Sequence, residues 1–192
     1  MLDPSKLEFA PLAKDRWNDF ARLFGANGAC GGCWCMWWRL ARAEFNARKG
    51  EENRQAMRKI VASGAMPGVL AYYEGEPIGW CAIAPREAYP SLKRSRVLRP
   101  VDGRPVWSVS CFFVAKPFRG QGVSVELLKA AVRFAAGRGA ALVEGYPHDL
   151  GGSKRPAPFV WTGLVEAFRA AGFKEAARRS PTRPIMRRST SQ

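Results

Sequence analysis

The run Val114-Ala115-Lys116-Pro117-Phe118-Arg119-Gly120-Gln121-Gly122-Val123-Ser124 sets two glycines, an arginine and a serine where an apolar stretch gives way to a helical one. Glycines let a backbone curl close to a ligand. The helix that follows aims unpaired N–H groups and the positive end of its dipole at the same point, so a turn of this kind binds phosphate. It is not the P-loop pattern, because no Gly-Lys-Ser/Thr follows, and it lacks the three-glycine dinucleotide spacing. A tight turn without a ligand is the plain alternative reading.

A second cluster is Cys30-Gly31-Gly32-Cys33-Trp34-Cys35, followed by Met36-Trp37-Trp38. Cys-x-x-Cys-x-Cys would suit zinc, with a fourth ligand from Cys81, Cys111 or His148. The second paired Cys/His motif of common zinc modules is missing, so no metal is expected. The string is also similar to the Cys-Gly-Ser/Ala-Cys-Trp of papain-like proteases. That chemistry needs a downstream Asn as well as His148, and no Asn follows Asn53. Five cysteines in a chain that reads as cytoplasmic argue against disulfides.

These groups must be positioned by a core, and 192 residues with 47% hydrophobic and 24% charged side chains can bury one. The length fits a single domain, residues 1–192, with a basic C-terminal end from about 178 to 192. No apolar run is long enough for a membrane span, and charges sit where a signal peptide would be apolar. Trp17, Phe20, Ala21 and Phe24 recur at helical spacing, and residues 41–63 read as a second helix. Gly68–Tyr73 and Pro77–Ala84, around Glu74-Gly75-Glu76, predict a hairpin. Val106–Val114 predicts a central strand, with Trp107, Val109, Cys111 and Phe113 on one face and Ser108 and Ser110 on the other. A helix over 123–137, a strand over 140–146, a helix over 161–171 stopped by Gly172, and a closing hairpin over 173–188 complete a mixed α/β order.

In this setting Arg119-Gly120-Gln121-Gly122-Val123-Ser124 resembles the Arg/Gln-x-x-Gly-x-Gly/Ala signature of the GCN5-related N-acetyltransferase (GNAT) superfamily. Ala170-Ala171-Gly172-Phe173 is similar to that family's Gly-Phe ending, and the order of elements agrees over roughly residues 6–188. The resemblance implies a mixed, mostly antiparallel central sheet flanked by helices. It implies acetyl-CoA, or another acyl-CoA, as cosubstrate. Its pyrophosphate would lie on amides of residues 119–124 and its pantetheine would pair with backbone at Phe112, Phe113 and Val114. Ser124 departs from the usual Gly/Ala but is small and can donate to phosphate.

The resemblance also implies an acceptor amine, an oxyanion contact from amides of the 112–114 strand, and an acid and base. The usual Tyr and Asn places hold Phe168 and Trp161, and the Glu place of the histone-type members holds Ser108. The substitutes are Glu144 and Tyr146, which share a strand face, and His148, the one histidine. Each has a plain alternative, a salt bridge for Glu144 and a surface loop for His148. Trp34, Trp37 and Trp38, with Ser108 and Ser110, are the expected acceptor-site residues, the tryptophans offering rigid apolar area; packing into the core is the alternative. The expected activity is acetyl transfer to the primary amine of a small molecule by direct attack in a ternary complex, by a monomer or homodimer.

Two other readings stay open. One is a CoA-binding sensor with little catalysis. The other is a basic nucleic-acid-binding protein, suggested by 31 Lys+Arg against 16 Asp+Glu, a net charge of +15. The arginines are dispersed and no RNA-binding motif is present, so nucleic acid is not the expected partner. A positive field disfavours polycationic acceptors and favours a neutral amine nucleophile.

Overall fold

Strands of alternating apolar residues pair into one sheet in the computed structural model, which describes residues 2–153 and 159–191. They are β1 (Leu7–Pro11), β2 (Gly68–Tyr73), β3 (Glu76–Pro85), β4 (Trp107–Val114), β5 (Leu142–Gly145), β6 (Lys174–Arg178) and β7 (Pro184–Ser189), arranged β1-β2-β3-β4-β5-β7-β6. Every neighbouring pair is antiparallel except β4 with β5. A parallel pair needs a long crossover, and helix α5 (Val123–Ala136) supplies it.

Helix α5 forms because Val123, Leu127, Leu128, Ala131, Val132 and Ala135 recur every three or four residues and are all buried against the sheet. Each large side chain so buried contributes about 1.5–3 kcal/mol. Helix α6 (Val165–Ala170) shares this face. Helices α1 (Trp17–Phe24) and α3 (Glu51–Ala62) cover the other, around Phe20, Trp80 and Met57, and the short α4 (Pro90–Lys93) lies in the connection from β3 to β4. The basic stretch from 178 contains β7, which lies inside the sheet between β5 and β6. Among the described residues no helix is long and apolar enough to cross a membrane.

Three local expectations need correction. Residues 41–63 are two helices, α2 (Arg42–Ala47) and α3, because Gly50 adopts φ 89° between them and donates its N–H to Gly32. In β4, Ala82 faces Cys111 and Ile83 faces Val109, which leaves Ser110 as a bulge with no partner on β3. The extra residue exchanges the faces. Trp107 and Val109 pack toward α5, whereas Cys111 and Phe113 turn to the α1 side. The four do not share a face.

The third correction concerns residues 161–171. Only Val165–Ala170 is helical, closed by Gly172 at φ 82° with Phe173 N–H bonded to Phe168 O and Gly172 N–H to Arg169 O. Residues 161–164 form a turn, closed by Gly163 N–H on Val160 O, that leads into an extended Leu164, and they bridge a gap. Strands β4 and β5 pair from Trp107–Val143 to Val109–Gly145 and then part. Across the opening, Phe112 N–H donates to Trp161 O at 2.6 Å, His148 N–H to Gly163 O, and Val165 N–H to His148 O. We call this segment the strap. Gly163 at φ 89° is required there, since a Cβ would lie 2.9 Å from the Phe168 ring and 3.1 Å from Phe112.

Candidate functional site

A cavity of about 550 Å³ runs from the start of α5 to the segment 28–38. Of the residues expected at the cofactor, Phe112, Phe113, Val114, Arg119, Gly120, Gly122, Val123 and Ser124 all line it. Gly120 and Gly122 take φ 74° and 81°, a conformation that favours glycine, and a Cβ on either would meet nothing within 4 Å. The turn therefore faces open space. Gly122 caps α5, so the first N–H groups of that helix have no intrahelical acceptor and point toward the opening. Gln121 does not line the cavity. Its side chain accepts Leu2 N–H at 2.7 Å and donates to Pro117 O at 2.8 Å, which fixes the turn.

Backbone direction along β4 decides which amides can meet a ligand. Ala115 N–H donates to Ile78 O on the β3 side. Amides alternate along a strand, so those of Phe112 and Val114 face the gap. Val114 O accepts Arg119 Nε at 2.8 Å, and Phe112 N–H is taken by the Trp161 carbonyl. The strap thus holds the amide that the sequence marks for an acyl oxygen.

Trp37 and Trp38 line the cavity, together with Trp161. Trp37 stands edge-on to Phe45 and Trp161, with ring centroids 5.0 and 5.6 Å away, and the Arg42 guanidinium lies 3.9 Å over it. The Trp38 indole N–H donates to Ser110 O at 3.1 Å and so braces the bulge. Trp34 does not reach the cavity. It is buried against Trp17 and Phe24, because its own φ of 42° turns the indole inward over Gly28. Ser108 and Ser110 are buried and also stay off the wall, Ser108 within 2.7 Å of the Tyr146 hydroxyl and Ser110 in the bulge.

Glu144, Tyr146 and His148 do not line the cavity either. Glu144 is fully buried between Arg86 and Arg187, each 2.7 Å from a carboxylate oxygen, and Arg187 continues to Asp102. The Tyr146 hydroxyl donates to Glu144 at 2.8 Å and is also met by Arg86. Burial, then the Glu144 charge, pushes the Tyr146 hydroxyl well above its ordinary value, so it stays protonated. His148 Nε2 is 2.8 Å from an Arg183 nitrogen. Arginine only donates, so Nε2 accepts and the ring proton sits on Nδ1. The structure brings Glu144 and Tyr146 together, but into an ion-pair network under β4 and β5.

The cavity wall holds no Asp, Glu, His or Tyr among the described residues; its ionisable groups are Lys49, Arg119 and thiols. Cys30, Cys33, Cys35 and Cys111 are all on the wall, with Cys35 Sγ 3.6 Å from Cys111 Sγ. Burial pushes the Cys33 thiol up to about 11 and raises Cys35 and Cys81 as well. Those thiols are neutral at pH 7. Among the described residues no group of three or more His, Cys, Asp or Glu is placed to hold a metal ion. Sequence reasoning missed the strap carbonyl and the partners of Glu144. The one available signal was Gly163 just after Trp161, a glycine inside a supposed helix.

Comparison with known proteins agrees with this geometry. The family model described as Acetyltransferase (GNAT) family matches residues 34–147, more than half of the chain. No curated protein matches in sequence. A GNAT-family acetyltransferase from Streptococcus agalactiae superposes with a TM-score of 0.58 at 11% identity, covering 100% of both chains. The PaiA N-acetyltransferase of Thermoplasma acidophilum, solved with coenzyme A, gives 0.53 at 12% identity over 95% of this chain and 98% of its own. YncA of Salmonella typhimurium, solved with its cofactor acetyl-CoA, gives 0.53 at 12% over 97% and 95%. At these identities the structures speak to the fold, a mostly antiparallel seven-stranded sheet between helices. The family model carries the assignment: this chain belongs to the GNAT acetyltransferase family.

Proposed function

We propose that this protein transfers acetyl from acetyl-CoA to the primary amine of a small, neutral or acidic acceptor with an aromatic or apolar body. The reaction is direct attack in a ternary complex, in the cytoplasm. The carrying observation is one continuous cavity that joins an anion-binding helix start to a wall of Trp37, Trp38 and Trp161 with no carboxylate among the described residues.

The residues present fit acetyl-CoA. The open turn at Gly120 and Gly122, the first amides of α5 and the Arg119 guanidinium suit its phosphates. Phe112 N–H suits the thioester oxygen once Trp161 O gives it up. With no carboxylate among the described residues of the wall to stabilise an ammonium, the apolar wall and the net positive charge of +15 favour the amine in its neutral form. The amine attacks the acyl carbon, and the proton it sheds leaves with the CoA sulfur as the C–S bond breaks. Glu144 and Tyr146 serve as positioning residues, holding β5 against β4 where the gap begins.

The test is an amine panel with acetyl-CoA, following release of free thiol, with thermal shifts recorded for CoA and for oligonucleotides. Turnover is expected for aromatic monoamines over polyamines, with kcat/KM rising about tenfold per pH unit up to the pKa of the amine itself. Polyamines as the best substrates would overturn the acceptor assignment. Stabilisation by CoA without any turnover would favour the sensor reading, which the occupied Phe112 amide supports.

A further inference from the structure

We propose that Cys35 and Cys111 form a modification site, an intramolecular disulfide made by a small neutral peroxide that enters through the cavity. Nothing in acetyl transfer uses the cluster that contains these thiols. Cys35 belongs to the segment between α1 and α2, Cys111 to β4, and their sulfurs lie 3.6 Å apart although 76 positions separate them. A disulfide needs about 2.05 Å, so the sulfurs have to approach by only about 1.5 Å more.

The backbone is arranged for this approach. Trp34 and Cys35 are consecutive non-glycine residues at φ 42° and 57°. Such strain persists only where the surroundings enforce it. Here it sends Trp34 into the core and Cys35 beneath β4, where Trp80 Nε1 donates to its sulfur at 2.8 Å. The bulge at Ser110 does the complementary work, because without it Cys111 would face α5.

The two thiols have different access. Both line the cavity, but Cys111 is half-buried whereas Cys35 is 6% exposed. Cys33 also reaches the wall, but its Sγ is engaged by Gly28 O at 3.4 Å and burial holds its thiol protonated. Cys111 is therefore the thiol that meets the oxidant. Its sulfur attacks one peroxide oxygen, the O–O bond breaks, and the sulfenic acid and one water form. The Cys35 sulfur then displaces the hydroxyl, which leaves as a second water with the Cys35 proton. Two thiols and one hydrogen peroxide become one disulfide and two waters.

The product ties the segment that carries Trp37 and Trp38 to the strand that carries Phe112. Acetyl transfer is expected to fall as the link forms and to return on reduction.

The experiment treats reduced, reductant-free protein with hydrogen peroxide, with and without acetyl-CoA, and maps the digest by mass. The expected result is a peptide pair joining Cys35 to Cys111, lighter by two hydrogens than the separate peptides and released by dithiothreitol. It should be absent from Cys35→Ser and Cys111→Ser and kept in Cys30→Ser. Acetyl-CoA should slow its formation about threefold or more by filling the cavity. Both thiols staying open to alkylation while exposed Cys30 oxidises would overturn the proposal. So would a Cys33–Cys111 link, or a rate indifferent to acetyl-CoA. Should Cys35→Ser fail to fold, the wild-type map and Cys111→Ser decide the matter.

Discussion

A carboxylate fully buried between two guanidiniums and off the cavity wall has no path by which to collect a proton from a substrate. Glu144 is in that position, with Arg86, Arg187 and the Tyr146 hydroxyl on its two oxygens. Removing one member of a buried ionic cluster leaves the other charges uncompensated, typically at a cost of about 3–5 kcal/mol. Glu144→Gln should therefore lower unfolding free energy by about 3 kcal/mol in a denaturant titration, while the pH profile of the remaining activity keeps its shape. A general base would behave the other way, with stability kept and the acidic limb of the profile lost. The sequence displays Glu144 and Tyr146 two residues apart on a strand face, and that much was legible. Their partners were not, because Arg86 and Arg187 lie 58 and 43 positions away and only the fold brings them in. Trp34, Trp37 and Trp38 teach the same lesson. Three neighbouring indoles look alike in a string of letters, yet one left-handed φ sends Trp34 into the core.

At the scale of elements, the turn at 119–124, helix α5 and strand β4 could be read directly, because local periodicity and glycine placement decide them. The bulge at Ser110 could not, since it exists only relative to β3. Neither could the strap, whose apolar residues before a helical stripe read as more helix. Its geometry depends on Gly163. Gly163→Ala would impose both a strained φ and a Cβ against Phe168 and Phe112, and should cost about 1–3 kcal/mol by thermal or chemical unfolding. Trp161→Ala is a different probe. It leaves the backbone carbonyl on Phe112 and removes the indole between Trp37 and Trp38. An aromatic acceptor should then show a KM raised about tenfold, with acetyl-CoA affinity nearly unchanged, as expected for the loss of one aromatic contact. Equal losses for both ligands would place Trp161 at the cosubstrate instead.

For the molecule as a whole, the excess of +15 looked in the sequence like an address for nucleic acid. Much of the C-terminal arginine set is committed internally. Arg178 pairs with Glu175 and Asp149, Arg179 donates to the carbonyls of Arg99 and Pro100, and Arg188 donates to Ala171 O. These contacts tie stability to pH. Arg187, then Arg104, holds the Asp102 carboxyl well below its ordinary range, and Arg178 lowers that of Glu175. Carboxyls depressed in this way stabilise the fold fully above their unfolded values of about 4, and that stabilisation is lost as pH falls through the folded ones. The unfolding temperature should hold level from neutrality to about pH 5 and drop below about pH 4, more gently in Asp102→Asn. One consequence of the strap extends from geometry into time. A ligand that requires the Phe112 N–H finds that donor already engaged by Trp161 O, so arrival and seating are separate events. In stopped-flow mixing, the observed rate of the indole fluorescence change should climb with acetyl-CoA concentration and then level off. The plateau is the frequency with which the chain lets go of itself.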